Sequence, residues 1–159
     1  MSTILVTGAT GSFGRAFVDY MLANMSDSDA IRVFSRDEQK QEAMKAAVRD
    51  NRVRYLLGDV RDRERVRRAM RGVDIVVHAA ALKVIPAGEY NPDEVIKTNV
   101  LGSHNVIEAA IEVGVRTVIC LSSDKAVAPV NLYGNTKACM EKLALLANAS
   151  SGETQVSVV

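Results

Sequence analysis

Cysteine is scarce in this sequence: Cys120 lies in an apolar run and Cys139 in a helical pattern, and there are no others. Two thiols so placed make neither a disulfide framework nor a metal site, so no metal is expected and both read as buried free thiols of a reducing compartment. An excess of one charge is also lacking. Lys and Arg number 20 against 19 Asp and Glu, a net charge of +1, which removes the electrostatic argument for nucleic acid or an anionic membrane as main partner and leaves room for a small phosphorylated ligand. No stretch approaches the ~18 apolar residues that span a bilayer. No basic segment precedes Ile4-Leu5-Val6, so neither a membrane span nor a leader is expected, and the expected location is the cytoplasm. Internal repeats, linkers and low-complexity segments are missing too, which gives no sign of a second domain. What is present, 48% hydrophobic and 25% charged residues, is the composition of one globular domain with one sizeable core. The one charge run, Arg61–Arg71, lacks interleaved aromatics and has Asp59, Asp62 and Glu64 beside it, so it reads as a solvated helix face.

Short β-branched runs alternate with amphipathic stretches. The runs are Thr3–Thr7, Ile31–Ser35, Val53–Leu57, Val73–His78, Thr117–Ser122 and Gln155–Val159; helical patterns cover Phe13–Ala23, Glu38–Val48, Arg63–Met70, Pro92–Val113 and Leu132–Ala149. This alternation predicts an α/β, doubly wound parallel sheet, the Rossmann fold, with its ligand at the carboxyl ends of the strands. Because the sixth run ends the sequence with no turn or polar tail, residues 1–159 are expected to be the NAD(P)-binding domain of a longer chain, without its C-terminal substrate domain.

Gly8-Ala9-Thr10-Gly11-Ser12-Phe13-Gly14 follows the first strand and opens the first helix. Glycines there permit a tight turn and close backbone approach to a pyrophosphate, which the free N–H groups and dipole of the helix favour. Gly8, Thr10, Gly11, Ser12, Phe13 and Gly14 are therefore candidate cofactor residues. After the second strand stands Ser35-Arg36-Asp37-Glu38-Gln39-Lys40. Arg36 and Lys40 suit a 2′-phosphate, whereas Asp37 suits a ribose hydroxyl; on charge NADP is favoured and NAD remains open. After the third strand, Asp59 or Asp62 reads as the cap of the following helix; resemblance to the short-chain dehydrogenases/reductases implies instead that Asp59, with the backbone of Val60 beside it, reads the adenine edge. Ala79, Ala80 and Ala81 end the fourth strand with small side chains that let backbone pack on the cofactor, and His78 reads as a satisfied core histidine.

Tyr133 and Lys137 stand four residues apart, hence on one helix face. A cation beside a phenol favours phenolate, the form that accepts a hydroxyl proton while an alcohol is oxidised by hydride transfer. Ser123, at the end of the fifth strand, offers a hydroxyl beside Tyr133, and Asp124 and Lys125 add an acid–base pair. Oxidation alone does not need that pair. Removing water from carbons next to a new ketone does, since one group must take an acidified C–H proton and another must protonate the departing hydroxyl.

The G-x-x-G-x-x-G spacing resembles the short-chain dehydrogenases/reductases. Taken with Gly58-Asp59-Val60-Arg61-Asp62, His78-Ala79-Ala80-Ala81-Leu82-Lys83, Glu89-Tyr90-Asn91-Pro92, Lys97-Thr98-Asn99 and Ser122-Ser123-Asp124-Lys125-Ala126 through Asn131-Leu132-Tyr133-Gly134, the sequence resembles the inverting UDP-N-acetylglucosamine 4,6-dehydratases of the polysaccharide-biosynthesis branch. The resemblance implies a tightly held NADP, Tyr133 with Lys137 as the C4 base, Lys125 as the C5 base and Asp124 as the C6 acid. It also implies Lys83 on the UDP-sugar, Thr98 and Asn99 on the cofactor side, and a homo-oligomer at full length. Two positions depart from the pattern: Ser123 stands where threonine is usual, and Val84 where a polar residue often follows the lysine. Retaining dehydratases carry Asp-Glu at the place of Asp124-Lys125. A sugar-nucleotide 4-epimerase is the near alternative, and a non-catalytic dinucleotide-binding module the alternative of another class. Without the later half of such enzymes, the 159 residues are expected to bind cofactor but turn over poorly.

Overall fold

In the computed structural model, which describes residues 2–150 and 152–159, six parallel strands form one sheet in the order β3-β2-β1-β4-β5-β6. They are β1 (Thr3–Thr7), β2 (Ala30–Ser35), β3 (Val53–Leu57), β4 (Ile75–His78), β5 (Thr117–Cys120) and β6 (Gln155–Val158). The helices are α1 (Ser12–Asn24), α2 (Glu38–Ala47), α3 (Arg63–Met70), α4 (Ile85–Tyr90), α5 (Pro92–Ile96), α6 (Gly102–Val113) and α7 (Leu132–Ser150). This is the expected Rossmann sheet, and its strand order reverses between β1 and β4, where a crevice opens at the carboxyl ends.

Side chains alternate across β1, so each face of the sheet acquires its own core. Leu5 joins Phe34, Val76, Val118, Val66, Ile107 and Met140 beneath α3, α6 and α7, while Ile4 and Val6 join Val33, Val77, Val18 and Met44 beneath α1 and α2. Two helices start on aspartate caps: Asp37 accepts the Lys40 N–H and Asp62 accepts the Arg65 N–H. Gly114 ends α6 at φ 74°, a left-handed conformation that suits glycine.

Three features differ from the expected elements. The helix expected over Pro92–Val113 is interrupted by a π-helical stretch, Lys97–Leu101, that turns Thr98 and Asn99 inward; periodicity does not register one extra residue in a turn. Helix α4 was not anticipated because it buries none of its six residues and so carries no apolar stripe. Strand β5 stops at Cys120, although the hydrogen bonding runs on: the Leu121 N–H reaches the His78 carbonyl at 3.0 Å and the Ser122 N–H the Val159 carbonyl at 2.6 Å.

Candidate active site

A cleft of about 460 Å³ opens over the carboxyl ends of the strands, with Gly8 and Ser12 on one wall, Arg36 and Asp59 at one end, and Lys83, Tyr133 and Lys137 at the other. Strand β1 delivers the chain to Gly8, whose N–H bonds the Phe34 carbonyl at 3.0 Å. At φ 67° a Cβ on Gly8 would come within 2.8 Å of the Ala80 backbone, so the loop and the alanine segment approach as only glycine allows. Gly11 stands at the N-cap of α1 with no side-chain cap. The N–H groups of Ser12, Phe13 and Gly14 thus have no partner within the helix, and Ser12 and Phe13 line the cleft. Gly14 does not line it: a Cβ there would sit 2.4 Å from Ala9 Cα, so its role is to seat α1 against the loop.

At the far end Ser35, Arg36, Asp37 and Lys40 line the cleft beside Asp59 and Val60. Both cations already face carboxylates: Arg36 lies 3.8 Å from Asp59 and Lys40 lies 3.1 Å from Asp37. Asp37 also caps α2, and the Lys40 N–H bonded to it holds its carboxyl below the usual range. Burial raises Asp59, but the side-chain and backbone hydrogen bonds from Arg61 outweigh this and keep it below its ordinary value. Asp62, rather than Asp59, caps α3. Gln41, which sequence reasoning passed over, is buried and donates through Nε2 to the Ser35 carbonyl at 2.9 Å and the Leu56 carbonyl at 3.0 Å. A helix glutamine gives no sequence signal for such a clamp.

At the β1–β4 junction a chain of hydrogen bonds fixes the floor. The Ser103 hydroxyl donates to the Asn99 carbonyl at 2.6 Å, so at 2.8 Å it accepts from His78 Nε2–H. His78 Nδ1 then accepts from the Thr7 hydroxyl at 2.7 Å, and Thr7 accepts the Ala80 N–H at 3.2 Å. Burial, aided by the Lys137 charge, pushes His78 down to about 3. It is a neutral structural histidine that orients Ala80, one of the three alanines lining the cleft. In the π-helical stretch Asn99 pins Leu82 through both its backbone groups, at 2.8 and 2.9 Å, and donates to Thr136 at 3.1 Å. Lys83, next in the chain, lines the cleft and is exposed. Thr98 also lines it at 6% exposure, with a buried hydroxyl that has no protein partner.

Helix α7 carries Tyr133 and Lys137. Asn131 accepts the Gly134 N–H at 2.8 Å and Glu89 accepts the Leu132 N–H at 2.7 Å, which fixes the first turn. Lys137 is 4% exposed, its ammonium donates to the Leu121 carbonyl, and burial lowers its pKa. Ser123, Asp124 and Lys125 do not line the cleft; Asp124–Ala126 forms a 3-10 turn beside it. Ser123 caps that turn by accepting the Lys125 N–H at 3.2 Å and donates to Asp124 at 3.1 Å, so its hydroxyl is engaged with Asp124. The Lys125 ammonium lies 3.2 Å from Asp124. Hydrogen bonds from Lys125 and then Ser123 hold the Asp124 carboxyl below its usual range. What joins turn and helix is Gly134, where a Cβ would meet the Lys125 carbonyl oxygen at 2.1 Å. Among the described residues no cluster of three or more metal-ligating side chains occurs, and no helix is long and apolar enough to cross a membrane.

A dinucleotide fits these residues on two structural grounds. Unpaired α1 N–H groups face a glycine-walled cleft suited to a pyrophosphate, and the orphaned Thr98 hydroxyl needs a partner that the protein does not supply.

Comparison with known proteins agrees with this geometry. The family described as Polysaccharide biosynthesis protein matches residues 4–159. The chain is 51% identical over 152 residues to a UDP-N-acetylglucosamine 4,6-dehydratase (inverting) of Campylobacter jejuni strain 81-176, covering 96% of this chain and 45% of that protein. It is 49% identical over 160 residues to a UDP-glucose 4-epimerase of Rickettsia akari, covering 98% and 47%. Among solved structures, Pen from Bacillus thuringiensis superposes with a TM-score of 0.94 at 40% identity, over 99% of this chain and 48% of that one. The dTDP-glucose 4,6-dehydratase DesIV of Streptomyces venezuelae, with NAD and TYD bound, gives 0.88 at 27% identity, over 98% and 53%. The chain thus spans about half the length of the relatives it matches.

Proposed function

The chain belongs to the family described as Polysaccharide biosynthesis protein, within the short-chain dehydrogenases/reductases, and from that premise we propose that it is the cofactor-binding, proton-transferring half of a C5-inverting UDP-N-acetylglucosamine 4,6-dehydratase or of an enzyme for a similar UDP-sugar. The observation that carries the reading is the packing of the Asp124-Lys125 turn onto the first turn of α7 at Gly134, beside Tyr133. Oxidation alone uses the tyrosine and lysine; an acid–base pair held against them suits the elimination of water.

In this reading Gly8, Gly11 and the first N–H groups of α1 hold the pyrophosphate, Asp59 reads the adenine and Thr98 donates a hydrogen bond to the cofactor. Arg36 and Lys40 hold a 2′-phosphate, which makes NADP the cofactor. When bound, NADP supplies the acceptor for the hydride leaving sugar C4 and returns hydride at C6. Tyr133, held as a phenolate by the Lys137 ammonium, takes the C4 hydroxyl proton and becomes a phenol. Lys125 removes the C5 proton, Asp124 protonates the departing C6 hydroxyl as water, and reprotonation of C5 from the other face inverts that carbon. Lys83 contacts the UDP-sugar.

Asp124 and Lys125 face each other as an exposed ion pair, the reverse of the protonation their roles require. A sugar covering the turn strips water from both charges, which favours transfer of the lysine proton to the carboxylate and leaves a neutral amine beside a carboxylic acid. The test is to incubate UDP-N-acetylglucosamine with NADP and the full-length protein carrying these residues, then weigh the product. Loss of one water and a 4-keto-6-deoxy sugar are expected; an unchanged mass would sink the dehydratase. A 4-epimerase is the second reading, favoured by the 49% identity to the Rickettsia akari protein, and it predicts an unchanged mass with inverted C4.

A further inference from the structure

Tyr133, Lys137 and Glu141 follow one another at intervals of four along α7, so they share one helix face. Tyr133 and Lys137 line the cleft. Behind them, the partly buried Glu141 carboxylate accepts a hydrogen bond from the Ser122 hydroxyl, and Ser122 itself lines the cleft. One turn earlier on α7, Lys137 donates to the Leu121 carbonyl. Two successive residues of the β5 exit, immediately ahead of Ser123-Asp124-Lys125, are therefore clamped to α7 by two side chains of opposite charge.

We propose that Glu141 is a positioning residue of this site: its carboxylate anchors Ser122 and, one turn along α7, serves as the partly buried counter-charge that keeps Lys137 an ammonium ion beside Tyr133. The surroundings of Lys137 require such a group. At 4% exposure the ammonium has lost most of its water, and burial works against its charge. From β4, His78 is neutral, being pushed down to about 3. From β5, the Cys120 thiol is pushed up to about 11 by burial, hence also neutral near pH 7. From α7 come Tyr133, which needs the cation, and Glu141. Of the two groups whose negative charge raises Lys137, Cys120 and then Glu141, the Cys120 thiolate is absent near pH 7, which leaves the Glu141 carboxylate.

This assignment rests on the reading of Tyr133 as the C4 base with Lys137 as its supporting cation, but its test does not require turnover, so failure of the dehydration assay leaves it standing. The chain is labelled with lysine carrying ¹⁵Nζ and ¹³Cε, and the Lys137 resonance is followed by NMR across alkaline pH. Glu141→Gln keeps an acceptor for Ser122 and removes the charge; it lowers the Lys137 midpoint by about half a unit or more. Glu141→Ala lowers it as well, which frees the test from how glutamine packs. Glu141→Asp retains the charge and leaves the midpoint near that of the parent. A Lys137 midpoint unchanged in both Gln and Ala variants overturns the proposal, as does an Asp variant displaced as far as the Gln variant.

Discussion

Replacing Gly14 by alanine sets two physical effects against each other. Position 14 lies in the first turn of α1, where alanine is favoured over glycine by about 1 kcal/mol. The added methyl would meet three backbone atoms of Ala9, its Cα at 2.4 Å, oxygen at 2.6 Å and carbonyl carbon at 2.7 Å. None of these is the end of a flexible side chain, so relief requires α1 to move away from the loop by roughly 1 Å, at an overpacking cost of 1–3 kcal/mol or somewhat more. The overlap wins, leaving a net loss of about 1–2 kcal/mol, or roughly 2–8 °C in Tm for a domain of this size. Urea unfolding followed by circular dichroism reads the stability, and titration with NADP reads the loop. Affinity is expected to fall about tenfold or more, because the shift carries the Ser12 and Phe13 N–H groups away from where a pyrophosphate would meet them. A Gly14→Ala protein as stable as the parent, or more so, would refute the close approach of helix and loop, whatever its affinity.

Other outcomes follow from single contacts. Thr98→Val removes a buried hydroxyl without a protein partner, so the chain alone becomes equally or more stable, by up to ~1 kcal/mol, while NADP affinity falls several-fold; unchanged affinity in a dye-displacement assay would remove Thr98 from the cofactor site. His78 has a folded pKa of about 3 against an unfolded value near 6.5. Between these limits the unfolded chain binds the extra proton, so stability is intact above about pH 6.5 and is lost as pH falls toward 3, by roughly 1.4 kcal/mol per unit. The His78 Cε1–H resonance should then stay fixed from about pH 8 to pH 5, and a titration there would contradict the hydrogen-bond chain through Thr7 and Ser103. Cys139 is exposed and Cys120 buried, so a thiol reagent should modify one cysteine in the folded chain and the second only on unfolding. Gly134→Ala drives a methyl into the Lys125 carbonyl; in the polypeptide that dehydrates, a displacement near 1 Å should cut product formation about 100-fold while leaving NADP affinity within a few-fold.

Much of this fold was legible in the sequence because the information is local. A strand of alternating faces, an aspartate before a helix or a glycine loop between β1 and α1 declares itself within a few residues, through backbone geometry and the period of apolar side chains. Strand positions and the Asp62 cap followed the pattern, whereas the Asp37 cap did not figure in it, and the glycine loop, the Ser35–Lys40 segment, Asp59, the three alanines and the Tyr133–Lys137 pair were named from motifs that the fold brings around one cleft. Even the reading of Cys120 as a buried thiol needed only the apolar run around it, whereas Cys139, read the same way, lies exposed on α7. A helical pattern marks which residues share a face without saying which faces find a neighbour.

Tertiary structure alone decided the contacts between residues far apart in the chain. Thr7 and His78 are 71 positions apart and His78 and Ser103 are 25 apart, and only the β1–β4 pairing and the packing of α6 bring them together to fix which ring nitrogen carries the proton. The π-helical stretch that directs Asn99 to Leu82 and Thr136 leaves the 3.6 period nearly undisturbed, and the approach of Gly134 to Lys125 is set by how α7 docks on the β5 exit. The sequence by itself determined the six strands, the doubly wound parallel sheet and the chemistry available at one sheet edge. Which polar groups satisfy one another, which charge is stripped of water and how closely the acid–base turn meets the tyrosine helix were decided by packing, because hydrogen bonding and desolvation depend on distances that no local pattern contains.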